Sequence, residues 1–251
     1  MKGHGMPSHD TSAVMEAVEP ALARLKPHVT NTIPALHEAW REGKSIVCEG
    51  AQGTFLDIDF GTYPFVTSSN TTAGGACTGT GLPPVAIDRV VGVCKAYTTR
   101  VGEGAHITEC QEFSEYLHNM GREFGATTGR KRRCGWLDCV LLRFACMVNG
   151  VTDLAVTNLD GLDERESIRI CTAYEIDGVE HTFPPAHRGA WERALPVYQT
   201  LPGWNSDTST CRRWDELPSE AQSYLTRLSE LAGAPVKYVG IGPDREQTIL
   251  L

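Results

Sequence analysis

Gly125-Ala126-Thr127-Thr128-Gly129-Arg130-Lys131-Arg132-Arg133, running on into Cys134-Gly135-Trp136, is the stretch around which the rest of the chain is organised. Four consecutive cations follow two hydroxyl residues and a glycine, and an apolar run begins at Trp136. Gly129 reaches backbone angles closed to other residues, so the loop can turn sharply towards a ligand. Thr127 and Thr128 offer hydroxyls, and Arg130, Arg132 and Arg133 offer planar forks that match a carboxylate or a phosphate. A basic run of this length also reads as a solvated turn or a nuclear-localisation-like segment. The hydroxyls and the flanking glycines favour an anion site.

Downstream, Val140, Leu141, Phe144 and Met147 predict a helix from about Trp136 to Val148, closed by Asn149-Gly150. The basic loop would then lead directly into a helix N-terminus, whose free N–H groups and dipole attract anions. Leu154-Ala155-Val156-Thr157 reads as a buried strand ending in Asn158-Leu159-Asp160, and ligand contacts in α/β sheets collect just past strand carboxyl ends. Strands near 167–174 and 179–183, joined through Asp177-Gly178, form a β-hairpin extension. Leu201-Pro202-Gly203-Trp204 reads as a turn and Arg212-Arg213-Trp214 as a loop. Ala221, Leu225, Leu228 and Leu231 mark a long helix stopped by Gly233. Val236-Lys237-Tyr238-Val239 is a strand entering a second glycine-rich turn, Gly240-Ile241-Gly242-Pro243.

Upstream, Phe113, Leu117 and Met120 give a helix stopped by Gly121. Tyr97 to Val101 is a β-branched strand, and Ile87, Val90, Val91 and Cys94 fall at helical spacing. Residues 57–81 have no helical period and few apolar side chains; a polar loop that long is either functional or disordered. Before it come a glycine-bracketed loop, Glu49-Gly50-Ala51-Gln52-Gly53-Thr54, and a short apolar strand, Ser45 to Cys48. Helices are expected over about 12–25 and 33–40, with residues 1–10 disordered.

The chain has 251 residues, 41% of them apolar, enough for a substantial core. Its net charge of -8 argues against nucleic-acid binding, so a local basic cluster suits a small anion instead. Nine cysteines, none spaced C-x-x-C, predict a reducing, cytoplasmic setting without disulfides or a zinc knuckle. No apolar run approaches the roughly 20 residues of a membrane span, and the N-terminus shows no signal-peptide core.

Taken together these pieces resemble adenylosuccinate synthetase, over nearly everything from about residue 45 to the end. The resemblance is carried by Glu49 to Thr54, by Tyr63-Pro64-Phe65-Val66-Thr67-Ser68-Ser69-Asn70-Thr71-Thr72, by Lys95-Ala96-Tyr97-Thr98-Thr99-Arg100-Val101-Gly102, and by Thr127 to Asp138. It implies an α/β fold with a P-loop-NTPase-like mixed, largely parallel sheet flanked by helices. The β-hairpin would be an extension and the sheet incomplete at the N-terminus, with a tail and helices over 1–44 and the family domain over 45–251.

The implied reaction joins IMP and L-aspartate with hydrolysis of GTP. GTP phosphorylates the 6-oxygen of IMP, and the aspartate amine displaces that phosphate. By the same resemblance Gln52, Thr67 and Arg130 contact IMP. Ala126, Thr127, Thr128, Gly129, Arg130, Lys131 and Arg132 hold the aspartate carboxylates, and Arg132 also reaches GTP. Asn158, Leu159, Asp160, Gly240, Ile241 and Gly242 hold the guanine, Asp160 accepting from its N1 and 2-amino groups. The family is generally homodimeric and uses Mg²⁺. Two departures stand out. The family usually has lysine at the position of Asn158, so a cation and an aliphatic stem over the base are lost. The family's Gly-Asp-Glu-Gly-Lys-Gly-Lys loop, with its catalytic aspartate, and its catalytic histidine have no counterpart in these residues; His4, His9, His28 and His37 lie in no such context. The chain therefore reads as the C-terminal part of such a ligase. Alternatives are a truncated, non-catalytic nucleotide-binding or interaction protein, and one half of a split ligase.

Overall fold

The computed structural model describes residues 10–125 and 129–251, so Ala126, Thr127 and Thr128 and the N-terminal tail lie outside the described residues. The chain divides into two compact units, one of residues 1–47 and 80–82, the other of residues 48–79 and 83–251. The first holds α1 (Thr11–Leu25) and α2 (Thr32–Arg41). Asp10 and Asn31 accept from Ser12 N and Ile33 N respectively, capping backbone donors that helix starts leave free. Gly43, at φ +71°, ends α2 as expected.

The second unit carries the remaining elements: α3 (Gly74–Thr80, its last residue in the first unit), β1 (Val91–Lys95), β2 (Thr98–Arg100), α4 (Gln111–Asn119), β3 (Arg133–Gly135), β4 (Leu137–Asp138) and α5 (Cys139–Asn149). There follow β5 (Asp153–Thr157), β6 (Ser167–Ile176), β7 (Val179–His181), α6 (Arg188–Arg193), β8 (Leu195–Pro202), α7 (Ser219–Ala232), β9 (Val236–Gly240) and β10 (Thr248–Leu250). The central sheet has the order β1-β5-β9-β10; β1, β5 and β9 are parallel and β10 is antiparallel. β6 pairs parallel with β4 and antiparallel with β7 and β8, and β2 pairs with β3. The core is continuous from Tyr97, Phe113 and Trp136 through Leu154, Val156 and Ile168 to Leu225, Leu228 and Val239.

Four sequence expectations are corrected. Residues 87–94 are not a helix: β1 starts at Val91, and Cys94 and Gly92 pair with Val156 and Leu154 of β5. The β-branched Val90, Val91 and Val93 suit a pleated surface better than a helix, and that preference wins. Ser45 to Cys48 form no strand, and Val47 is exposed. The helix expected from Trp136 starts at Cys139, because β3 and β4 intervene and Asp138 caps it through Val140 N and Leu141 N. The basic loop therefore does not run into a helix N-terminus. The turn expected at Leu201-Pro202 is the end of β8, held in register by Ser167↔Pro202 pairing.

Candidate functional site

The long polar segment after Gly53 is a folded loop built on one buried carboxylate. Asp57 is completely buried; its Oδ1 accepts from Asp59 N (2.9 Å) and Phe60 N (3.1 Å), and its Oδ2 from Thr71 N (2.6 Å) and Thr72 N (3.2 Å). Burial pushes this carboxyl up, but the four N–H donors outweigh it and hold the group below the usual range. The bonds to Thr71 and Thr72 close the loop on itself. Thr71 Oγ1 donates to Gly53 O (2.7 Å), and Thr67 N donates to Leu56 O (2.8 Å). Asn149, the last residue of α5, takes a bond from Ala73 N (2.7 Å) and gives one to Thr54 Oγ1 (2.9 Å). Gln52 stands exposed at φ +63° beside this clasp, and Thr67 is half-buried within it.

Arg100 ties that loop to the β2–β3 ribbon, donating to Thr62 Oγ1 and Phe65 O (3.0 Å each). β3 in turn receives the basic segment. Of its cations, Arg130 and Lys131 are exposed. Arg133 is committed elsewhere: it pairs with Glu109 and donates to the carbonyls of Gly102 (3.1 Å) and Gly104 (2.9 Å). Its guanidinium fastens the turn after β2, so it is not a free anion fork. Arg132 Nη1 donates to Glu123 Oε2 (2.9 Å), while Arg132 N donates to Glu123 O (2.9 Å). A backbone bridge between Phe124 and Lys131 and bonds from Gly125 N to Arg130 O and from Gly129 N to Gly125 O (2.8 Å each) close the stem of the loop. Gly129 adopts φ +63°, the turn its lack of a Cβ permits.

Glu123 is the hub here. Its side chain is 2% exposed and meets Lys95 Nζ (2.5 and 2.6 Å), Tyr97 Oη (2.7 Å) and Arg132. Burial pushes the carboxyl up, yet these three donors bring it below its ordinary value. Burial also draws Lys95 down, against the pull of Glu123.

The third region joins the carboxyl ends of β5 and β9. Asn158 takes a left-handed conformation (φ +59°), which asparagine tolerates, and starts a short 3-10 turn over Leu159–Leu162. Gly161 packs on Tyr97: a Cβ there would lie 2.7 Å from the ring. Opposite, Gly240 backs onto Thr157, with a would-be Cβ 3.3 Å from its Cα, and a Cβ on Gly242 would meet the side-chain amide of Gln247. Val156 pairs with Val239, so the two turns are neighbours at one end of the sheet. Asp160, 7% exposed, gives Oδ2 to an ion pair with Arg122, while its Oδ1 is buried without a hydrogen-bond partner among the described residues. A buried carboxylate with one oxygen anchored and the other unsatisfied calls for a further donor.

The structure thus brings Asn158, Leu159 and Asp160 beside Gly240, Ile241 and Gly242, and links them to Arg132 through the consecutive residues Arg122 and Glu123. Gln52 and Thr67 share the clasped loop; no hydrogen bond or ion pair joins either to Arg130 among the described residues. Sequence reading missed Asp57, Arg100, Glu123 and Arg122. A lone acid next to a basic run was the available signal for Glu123; the partners of the other three lie too far along the chain to be seen.

A sequence model of the family described as adenylosuccinate synthetase matches residues 2–249. Curated relatives named adenylosuccinate synthetase include one from Bifidobacterium longum, 54% identical over 227 residues, covering 90% of this chain and 53% of the relative. Another, from Synechococcus elongatus, is 49% identical over 251 residues, covering 100% of this chain and 56% of the relative. A fully ligated adenylosuccinate synthetase from Plasmodium falciparum superposes with a TM-score of 0.95 at 34% identity, over 100% of this chain and 60% of that one. The chain spans little more than half the length of the curated relatives it matches.

Proposed function

Because the chain belongs to the adenylosuccinate synthetase family, we propose that it serves the GTP-dependent joining of IMP and L-aspartate to give adenylosuccinate, GDP and phosphate, in a cytoplasmic homodimer. The observation that carries this reading is Asp160: half-satisfied and buried between two turns at the sheet's carboxyl end, it offers an acceptor matched to the N1–H and 2-amino donors of guanine. Gly240, Ile241 and Gly242 form the facing turn, where two residues without side chains leave the backbone open to the base. Gln52 and Thr67, on a loop locked by Asp57, position IMP, with Arg130 reaching it from the basic segment. The loop from Ala126 to Arg132 takes the aspartate carboxylates, for which guanidiniums and hydroxyls are suited. Arg132, anchored on Glu123, adds positive charge towards GTP.

Magnesium accompanies this chemistry in the family. The residues present do not fit it: Glu123 is taken up by Lys95, Tyr97 and Arg132, and among the described residues no three His, Cys, Asp or Glu side chains converge on a point. This chain's share of the work is holding and orienting the three substrates.

The test is IMP binding and adenylosuccinate formation by the purified chain with IMP, aspartate, GTP and Mg²⁺, beside an Arg130→Ala control. Saturable IMP binding that Arg130→Ala weakens by ~10-fold or more is expected, the loss of one charge-assisted contact. Turnover abolished by the same substitution would extend the reading to catalysis by this chain. Absence of IMP binding would overturn it.

A further inference from the structure

Arg122 has no place in the substrate contacts set out above, yet it holds the one acceptor proposed to read the base. Its guanidinium, 29% exposed, donates to Asp160 Oδ2, and Asp160 Oδ1 stays buried and unpartnered among the described residues. The arrangement has a geometric consequence. A carboxylate free to rotate about its last bond presents its lone pairs in many directions, whereas one pinned at Oδ2 presents Oδ1 in one. Glu123, at φ +61°, sends its side chain to Lys95, Tyr97 and Arg132, so successive residues are splayed, one towards Asp160 and one towards the basic segment. The Tyr97 ring, bonded to Glu123 through its hydroxyl, also backs the turn that carries Asp160, through Gly161.

We propose that Arg122 is a positioning residue for base selectivity: it fixes the plane of the Asp160 carboxylate, leaving Oδ1 and the outer lone pair of Oδ2 to accept two adjacent donors of a guanine ring. Adenine presents a lone pair at N1 where guanine presents N–H, so a fixed carboxylate there repels it. A carboxylate that swings freely discriminates less, because it can turn away from the wrong base. The inference rests on the reading of Asp160 as the guanine acceptor.

The experiment measures GDP and ADP affinity of the whole chain, by calorimetry, for the wild type, Asp160→Asn, Arg122→Ala and Arg122→Lys, with thermal melts of each. Arg122→Ala should cut the GDP-over-ADP preference about 10-fold, the scale of one lost orienting contact, mainly by weakening GDP. Its melting temperature should fall, because the buried Asp160 carboxylate loses its ion-pair partner, so the preference is compared at a temperature where both proteins are folded. Arg122→Lys, which keeps the charge but not the fork, should restore part of the preference. Asp160→Asn should abolish it. Collapse of the preference in Asp160→Asn with none in Arg122→Ala would overturn the role of Arg122 and leave the guanine reading standing. A preference untouched by Asp160→Asn, or absent from the wild type, would overturn both.

Discussion

Two buried carboxylates, Asp57 and Asp160, lie in the same unit and do opposite things. Asp57 spends both oxygens on four backbone N–H groups of its own loop, two on each side of the closure. Asp160 spends one oxygen on one side chain and keeps the other unpaired. The first has its hydrogen bonds complete; the second does not. Burial alone therefore does not separate the two acids; the satisfaction of each oxygen does.

The sharpest break of this contrast is Asp57→Ala. It orphans four N–H groups of one loop, so a loss of about 4 kcal/mol or more is expected in urea unfolding. Asp160→Ala should cost far less, about 1–2 kcal/mol, because Arg122 is left at a partly exposed position where water can solvate it. Equal losses would erase the distinction between the two acids.

That distinction was not legible in the sequence. Asp57 finds Thr71 and Thr72 14 and 15 residues away, and Arg122 lies 38 residues before Asp160. No local pattern links them. What was legible was local. Gly121, Gly150, Gly178 and Gly233 all take positive φ at the ends and turns where they were expected, since only the backbone's own sterics decide such places. The strands β5, β6 and β9 and the helices α4 and α7 were visible in their periodicities. β8 and β10 were not, because their pairing is set by β6 and β9. The basic run suggested an anion site, but not which of its cations is already committed: Arg133 serves the Gly102 and Gly104 carbonyls and Glu109. Residues 126–128, whose hydroxyls made the segment notable, lie outside the described residues.

Asp138 sharpens the comparison in a second way. Like Asp57 it has partners for both oxygens: Val140 N and Leu141 N (3.1 Å each) on Oδ1, and Tyr174 Oη (2.6 Å) on Oδ2. Here burial outweighs the three donors, and the carboxyl is pushed up to about 6. The folded state then binds a proton more readily than the unfolded chain, so this group's contribution is full below about pH 4 and is lost as pH rises through 6. Asp138→Asn should remove that dependence. Relative to the variant, the wild type should gain up to about 3 kcal/mol on acidification from pH 7 to 4, read from urea midpoints. A parallel pair of pH curves would place the titration elsewhere.

The smallest expected effect at neutral pH comes from His106, and it tests whether an unpaired polar atom by itself marks a site. His106 is 9% exposed and neither ring nitrogen has a partner among the described residues. Burial, with Arg133 and Arg100 near, pushes its pKa down to about 4, against the opposing pull of Glu109. Unlike Asp160, it makes no ion pair among the described residues, so nothing anchors one of its atoms and aims the other. His106→Phe should therefore stabilise the chain by about 1 kcal/mol at pH 7, from removing unpaired polar atoms. The advantage should grow as pH falls from 6.5 towards 4, where the unfolded chain takes up the proton that the folded imidazole refuses. GDP and IMP affinities should stay unchanged. Weakened binding would mean that the unpaired imidazole also faces a ligand, and that an orphaned buried atom is a sufficient sign of one. Unchanged binding would confine that inference to atoms like Asp160 Oδ1, where a second group fixes the direction in which the missing partner must lie.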